Sequence, residues 1–243
     1  MQYEGSLSLE KLDKIAEIKD SRLILAIDIG VLEEYSLATE ETKIVSLLGL
    51  LKDYVVGVKF GLPTIISLGY DKVKSIVKKF SDEYYFIADL KIADVPFITL
   101  KTCEIVKSMG FNAAIIHLFT QSIHEIKHRL DEMKLATIGV LTMSHNCPII
   151  EKNFEELLEY AIKASVDGVV IGATKPEYIR KFKGKCNNVK VFAPGIICQG
   201  GKPGESLKAG ADYEIVGRAI VQASSPFEAA KYIVELEREV THG

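Results

Sequence analysis

The sequence predicts an α/β protein of the (β/α)8 TIM-barrel class, with one extra helix ahead of the first strand. Three observations carry that reading. Eight short, β-branched apolar runs recur every 25 to 30 residues or so, each followed by a charged amphipathic stretch, as βα units around a parallel sheet require. Most of the runs are almost continuously apolar, the mark of strands covered on both faces. The conspicuous polar residues fall at the C-terminal ends of those runs, the catalytic face of such barrels.

The strand candidates are LILAID (23–28), YVVGVKF (54–60), YYFIADLK (84–91), AAIIHL (113–118), LATIGVL (135–141), GVVIG (168–172), VKVFAP (189–194) and YEIVGR (213–218). Helical patterns lie between them at 64–79, 93–108, 153–165 and 226–239, and the extra helix is expected over 7–20. Closure of eight units removes both sheet edges without further elements. No linker-like Gly/Ser/Pro tract divides the chain, so residues 1–243 read as one domain.

Composition narrows the partners. At 48% hydrophobic the chain has ample material for a large core, and a net charge of -3 gives no electrostatic reason to expect nucleic acid. A small anionic substrate suits it better. Cys103, Cys147, Cys186 and Cys198 are widely spaced, without a C-x-x-C pair, which argues against a zinc ribbon and a dense disulfide framework. No basic and apolar leader pattern opens the sequence, and no apolar run approaches the roughly 20 residues of a membrane span. The expectation is a soluble, cytoplasmic protein.

The densest chemistry sits in FIADLKIADVP. The two-residue period of a strand sends Asp89 and Lys91 to one side and Ala88 and Leu90 to the other. Charges inside a barrel strand are expensive unless they compensate one another, so Asp89 and Lys91 imply a paired network that Lys59, ending strand two, can join. Asp94 follows in the loop, where it can cap the helix beginning near Val95 and Pro96. A lysine held between carboxylates stays protonated and can deliver that proton to a carbanion, which is what a decarboxylation needs.

A second cluster follows strand seven. In APGIICQGGKPGES, Gly195, Gly200, Gly201 and Gly204 allow backbone N–H groups to approach an anion, and Gln199 adds an amide donor. Strand eight ends in Gly217 and Arg218, whose guanidinium matches phosphate oxygens bidentately. Loops seven and eight are where barrels of this kind commonly bind phosphate.

His124-Glu125-Ile126-Lys127-His128 matches H-E-x-x-H, the zinc-binding pattern of metalloproteases. Ile123, Ile126, Leu130 and Met133 form the apolar stripe of that helix, which leaves both histidines towards solvent and no third ligand in view. His117 and His145 stand alone near strand ends.

These residues together resemble the orotidine 5′-phosphate decarboxylase family, in particular its shorter microbial forms. The likeness spans nearly the whole chain and is anchored by LAID at Asp28, VKFG at Lys59, DLKIADVP at Asp89, Lys91 and Asp94, LTMSH at Ser144, PGIICQGG at Pro194 and Gln199, and VGRAI at Arg218. The resemblance implies a cofactor- and metal-free decarboxylation of orotidine 5′-phosphate to UMP. Lys91 would protonate C6 of the pyrimidine, and Asp89, Lys59 and Asp94 would complete a charged tetrad. It implies a homodimer in which Asp94 acts across the interface. Asp28 and Lys59 would hold ribose hydroxyls, Ser144 the pyrimidine, and Gln199, Gly201 and Arg218 the phosphate.

One position departs from the pattern: Ile98 stands where the family usually has a ribose-contacting threonine, with Thr99 beside it. Asn146 and Cys147 after the MSH segment are a second departure, affecting how that loop closes. Two other readings compete. Magnesium-dependent relatives resembling 3-keto-gulonate-phosphate decarboxylase or hexulose-phosphate synthase share D-x-K-x-x-D, but there a glutamate follows strand two, and Lys59 would repel the cation. A catalytically silent nucleotide-binding barrel is the other.

Overall fold

The computed structural model describes residues 9–28 and 37–242. Among them, in chain order, are α1 (Glu10–Lys19), β1 (Leu23–Ile27), α2 (Leu37–Leu51), β2 (Gly57–Gly61), α3 (Leu62–Lys79), β3 (Tyr85–Ile92), α4 (Pro96–Ser108), β4 (Ala113–His117) and α5 (Ile123–Glu132). The second half continues with β5 (Ala136–Val140), α6 (Pro148–Lys152), α7 (Phe154–Lys163), β6 (Gly168–Val170), α8 (Pro176–Lys185), β7 (Lys190–Pro194), α9 (Glu205–Lys208), β8 (Tyr213–Val216), α10 (Arg218–Val221) and α11 (Pro226–Thr241). The eight strands are parallel and close in sequence order, β8 meeting β1 with Leu23 opposite Glu214 and Leu25 opposite Val216.

Alternation along each strand divides the apolar residues between two cores. Leu23, Leu25 and Ile27 face outward into the layer between strands and helices, with Val58, Phe60, Phe86 and Val216. Ile24, Ala26, Val56, Tyr85, Ile87, Phe192, Tyr213 and Ile215 fill the barrel interior. Helix α1 contributes Leu12, Ile15 and Ala16, together with Leu9 before it, to that inner core. It closes the N-terminal end of the barrel, held by Lys190 against Asp13 at 3.1 Å and by the Tyr213 hydroxyl donating to Asp13. Its predicted span was 7–20; Leu7 and Ser8 lie outside the described residues. Among the described residues, the open mouth is at the opposite, C-terminal end.

Three boundaries differ from the sequence reading for local reasons. Strand two starts at Gly57 because the Tyr54 and Val55 amides still donate to the Leu51 carbonyl, closing α2. Helix α4 starts at Pro96, not residue 93, because a residue preceding proline is driven to extended backbone, and Val95 has ψ 156°. Strand eight ends at Val216: Gly217 turns the chain with φ -115° and ψ -97°, so Arg218 opens α10 instead of ending the strand.

Candidate active site

A cavity of about 240 Å³ opens at the C-terminal end of the barrel. Asp28, Lys59, Asp89 and Lys91 line it from β1 to β3, and Ser144, Pro194, Gly195, Gln199, Gly217 and Arg218 line it from the ends of β5, β7 and β8. Ile115, Val170 and Ile215, inward-facing strand residues, supply apolar surface between the two groups.

Asp89 is the hub of the charged side. Its carboxylate lies 2.8 Å from the Lys59 ammonium and 2.8 Å from that of Lys91, and its side chain is only 6% exposed. Burial pushes the Asp89 carboxyl up, but the two neighbouring ammonium groups outweigh it and hold the group below its ordinary value. Lys59 also stands 3.8 Å from Asp28. Lys91 is not in regular strand geometry. Its φ is +42°, and the β3–β4 register shifts between Ala88 and Ile92, a bulge that re-aims its side chain while leaving it 41% exposed to the cavity.

Asp28 occupies space that only glycine leaves open. A Cβ built on Gly61 would lie 1.6 Å from Asp28 Oδ1, so the end of β2 shapes the seat of this carboxylate at the end of β1.

Asp94 is not brought to the cluster. It is exposed and outside the cavity lining, with its carboxylate accepting the adjacent Val95 amide at 2.7 Å. The expected helix cap is thereby corrected: Val95 occupies the capping position of α4, without a side-chain cap. Thr99 does not stand in for the missing threonine. It is fully buried, its hydroxyl donating to the Asp94 carbonyl at 3.0 Å and lying 3.4 Å from that of Ser122, whereas Ile98 is exposed.

The glycine-rich loop after β7 is folded on itself. Gly201 N–H donates to the Gly195 carbonyl, Gly200 N–H to Ile197, and Ile197 N–H to Gly201. Neither Gly200 nor Gly201 lines the cavity, so the donors facing it come from Gln199 and Arg218 instead of those two amides. The loop after β5 is pinned from outside: the Lys175 ammonium donates to the His145 carbonyl at 3.0 Å, and Cys147 N–H donates to Glu151 at 3.0 Å as α6 begins.

Residues 21–233 match the family described as orotidine 5′-phosphate decarboxylase / HUMPS. The chain belongs to that family. An orotidine 5′-phosphate decarboxylase of Pyrococcus furiosus is 36% identical over 205 residues, covering 82% of this chain and 94% of the relative. One from Methanococcoides burtonii is 34% identical, covering 89% and 97%. Among solved structures, the orotidine 5′-monophosphate decarboxylase of Sulfolobus solfataricus superposes with a TM-score of 0.78 at 29% identity, covering 91% of this chain and 99% of that one. The Methanocaldococcus jannaschii enzyme complexed with the inhibitor BMP gives 0.77 at 30% identity, covering 89% and 98%.

Other sequence features of this decarboxylase-family chain resolve plainly. His124 and His128 are exposed on α5, where His128 meets Glu132 at 3.2 Å. Among the described residues no three His, Cys, Asp or Glu side chains are grouped as metal ligands. His117 ends β4 with its ring 4.9 Å from that of Phe119; burial, then the nearby Lys91 charge, hold its imidazole below the ordinary value. Sequence reasoning passed over Ile115, Val170, Ile215 and Val221 as cavity residues. The inward parity of the first three was available as a signal, but apolar residues at such positions look identical to core.

Proposed function

We propose that this carboxy-lyase converts orotidine 5′-phosphate to UMP and carbon dioxide with Lys91 as its proton donor and no metal or organic cofactor, residues 1–243 acting as one barrel domain. The observation that carries the assignment is the Lys59–Asp89–Lys91 bridge at one side of a cavity whose other side presents Gln199 and Arg218. The C6–carboxylate bond breaks, carbon dioxide leaves, and the electron pair left at C6 takes a proton from the Lys91 ammonium, which water then restores. Asp89 holds Lys91 charged and aimed; Lys59 supplies the second cation that keeps Asp89 ionised.

The remaining roles follow from position. Asp28 and Lys59 hold ribose hydroxyls, Ser144 the pyrimidine, and Gln199 and Arg218 the phosphate, with Pro194 and Gly217 shaping that end. Gly200 and Gly201 join the phosphate only if the loop opens its internal hydrogen bonds, which the energy of phosphate binding can drive. The partner subunit's Asp94 completes the tetrad in a homodimer. Val95 and Phe97, 60% and 66% exposed, flank Asp94 with apolar surface that association would bury. Cytoplasmic residence suits the four free cysteines.

Release of carbon dioxide from orotidine 5′-phosphate, with and without a chelator, tests the reading. The expected result is turnover that a chelator leaves unchanged, and a Lys91→Ala variant that binds UMP but does not turn over. Absence of turnover in the unaltered protein would overturn the assignment, and abolition by chelator would move it to the magnesium-dependent relatives.

A further inference from the structure

A carboxylate stands on β8 where the fold calls for hydrocarbon. Alternation turns Tyr213 and Ile215 into the barrel and Glu214 outward beneath the helices, where it is fully buried. Such a group persists only if donors surround it. Gly204 N–H lies 3.0 Å from both of its oxygens, and the hydroxyl and N–H of Ser206 also donate to it. Burial pushes this carboxyl up, opposed by those three donors.

Gly204 and Ser206 stand at the end of the glycine-rich loop and the start of α9. Gly204 has φ +80°, and a Cβ there would meet Val240 of α11 at 2.8 Å, so the residue is held from one side by α11 and from the other by Glu214. Only Lys202 and Pro203 separate it from Gly201, whose N–H closes the neck of the loop on the Gly195 carbonyl at 3.1 Å. Two residues past Glu214 the strand ends, and the chain turns at Gly217 to place Arg218 at the cavity. One buried carboxylate therefore ties the loop carrying Gln199 and the backbone carrying Arg218 to a common frame.

We propose that Glu214 is a positioning residue for phosphate recognition, setting the spacing of Gln199 and Arg218 through Gly204 and Ser206. This rests on the assignment of both groups to the substrate phosphate. Glu214 does not line the cavity, so its action is indirect. An acceptor-only carboxylate matches this all-donor surrounding; glutamine places an NH2 group among the donors, and leucine leaves two buried N–H groups unsatisfied.

The test compares orotidine 5′-phosphate with orotidine, the same substrate without its phosphate, in Glu214→Gln, Glu214→Leu and Ser206→Ala. Ser206→Ala removes one hydroxyl donor while leaving the carboxylate and both N–H donors in place, so it reports even where the Glu214 variants fold poorly. The expected outcome is a KM for the nucleotide raised about tenfold in Glu214→Leu and about threefold in Ser206→Ala, with kcat within about twofold and kcat/KM for orotidine unchanged. An equal loss on both substrates would make Glu214 merely structural and overturn the proposal, as would unchanged nucleotide kinetics. Arg218→Ala separates the two levels of inference. If it fails to weaken the preference for nucleotide over nucleoside, the phosphate assignment falls; if it weakens it and the Glu214 and Ser206 variants do not, only the positioning role falls.

Discussion

Lys91 Nζ stands 2.8 Å from both carboxylate oxygens of Asp89, two residues earlier in the same strand. In a regular strand the two side chains would run side by side; the left-handed backbone at Lys91 turns the ammonium back onto its neighbour. A non-glycine residue held there costs roughly 1–2 kcal/mol, which the charge-assisted hydrogen bonds offset.

Replacing Asp89 with Asn should therefore do two things. It leaves the Lys59 ammonium, 8% exposed, without its close partner, at a cost on the order of 3 kcal/mol in stability. It also changes the acid limb. Because the folded carboxyl lies below its unfolded value near 3.9, the folded state binds fewer protons, and the contribution of Asp89 is present above about pH 4 and lost as pH falls through the folded value. Thermal melts across that range should show a shallower acid loss in the variant; parallel curves would contradict the assigned charge state.

Glu237 predicts the opposite slope. Its side chain is buried on α11, one oxygen accepting the Arg22 amide at 3.0 Å and the other, among the described residues, without a partner. Burial, then the charge of Glu214, raise its carboxyl well above the ordinary range. The folded state then holds the proton more tightly, so stability falls as pH rises from the unfolded value through the folded one. Glu237→Gln should gain stability relative to the parent as pH rises, read as a growing difference in Tm between acid and alkaline buffers.

Gly61→Ala puts a methyl carbon into the seat of Asp28. The Asp28 side chain is 43% exposed and can swing away, so the fold survives while its position is lost. The expected result is a Tm within a few degrees of the parent and a KM for orotidine 5′-phosphate raised about tenfold, consistent with loss of a charge-assisted ligand contact. An unchanged KM would remove Asp28 from the binding site.

Asp94→Ala and Lys91→Ala should each be inactive alone. Unfolded and refolded together, they should recover about a quarter of the parent's activity, since in the proposed homodimer half the dimers would be mixed and each mixed dimer would hold one intact site. No recovery, with mixed dimers demonstrated by mass, would place Asp94 outside the shared site.

The barrel was legible because its rules are local and periodic: eight apolar runs, each with a helix after it, admit few other arrangements. Asp28, Lys59 and Asp89 were legible as cavity residues for a related reason, since the end of a barrel strand has a known direction and their polarity contradicts a buried run; Gln199 and Arg218 stood out as donors after β7 and β8, and Ser144 entered through the family resemblance. The same local reasoning placed Asp94 at a helix cap it does not occupy, because proline shifted the start of α4, and it overlooked Glu214, whose donors lie eight and ten residues upstream in a separate element.

By itself, then, the amino-acid order determined the strand and helix periods, the face that carries the chemistry and the residue types available on it. Tertiary structure decided which of them meet. It closed the expected Lys59–Asp89–Lys91 network at 2.8 Å, left Asp94 exposed, occupied the loop amides of Gly200 and Gly201 with the loop itself, and buried Thr99 away from the cavity. The physical reason is that hydrophobic period depends on neighbours two residues away in a strand and three or four in a helix, whereas hydrogen-bond and charge pairing depend on distances that exist only once the barrel has closed.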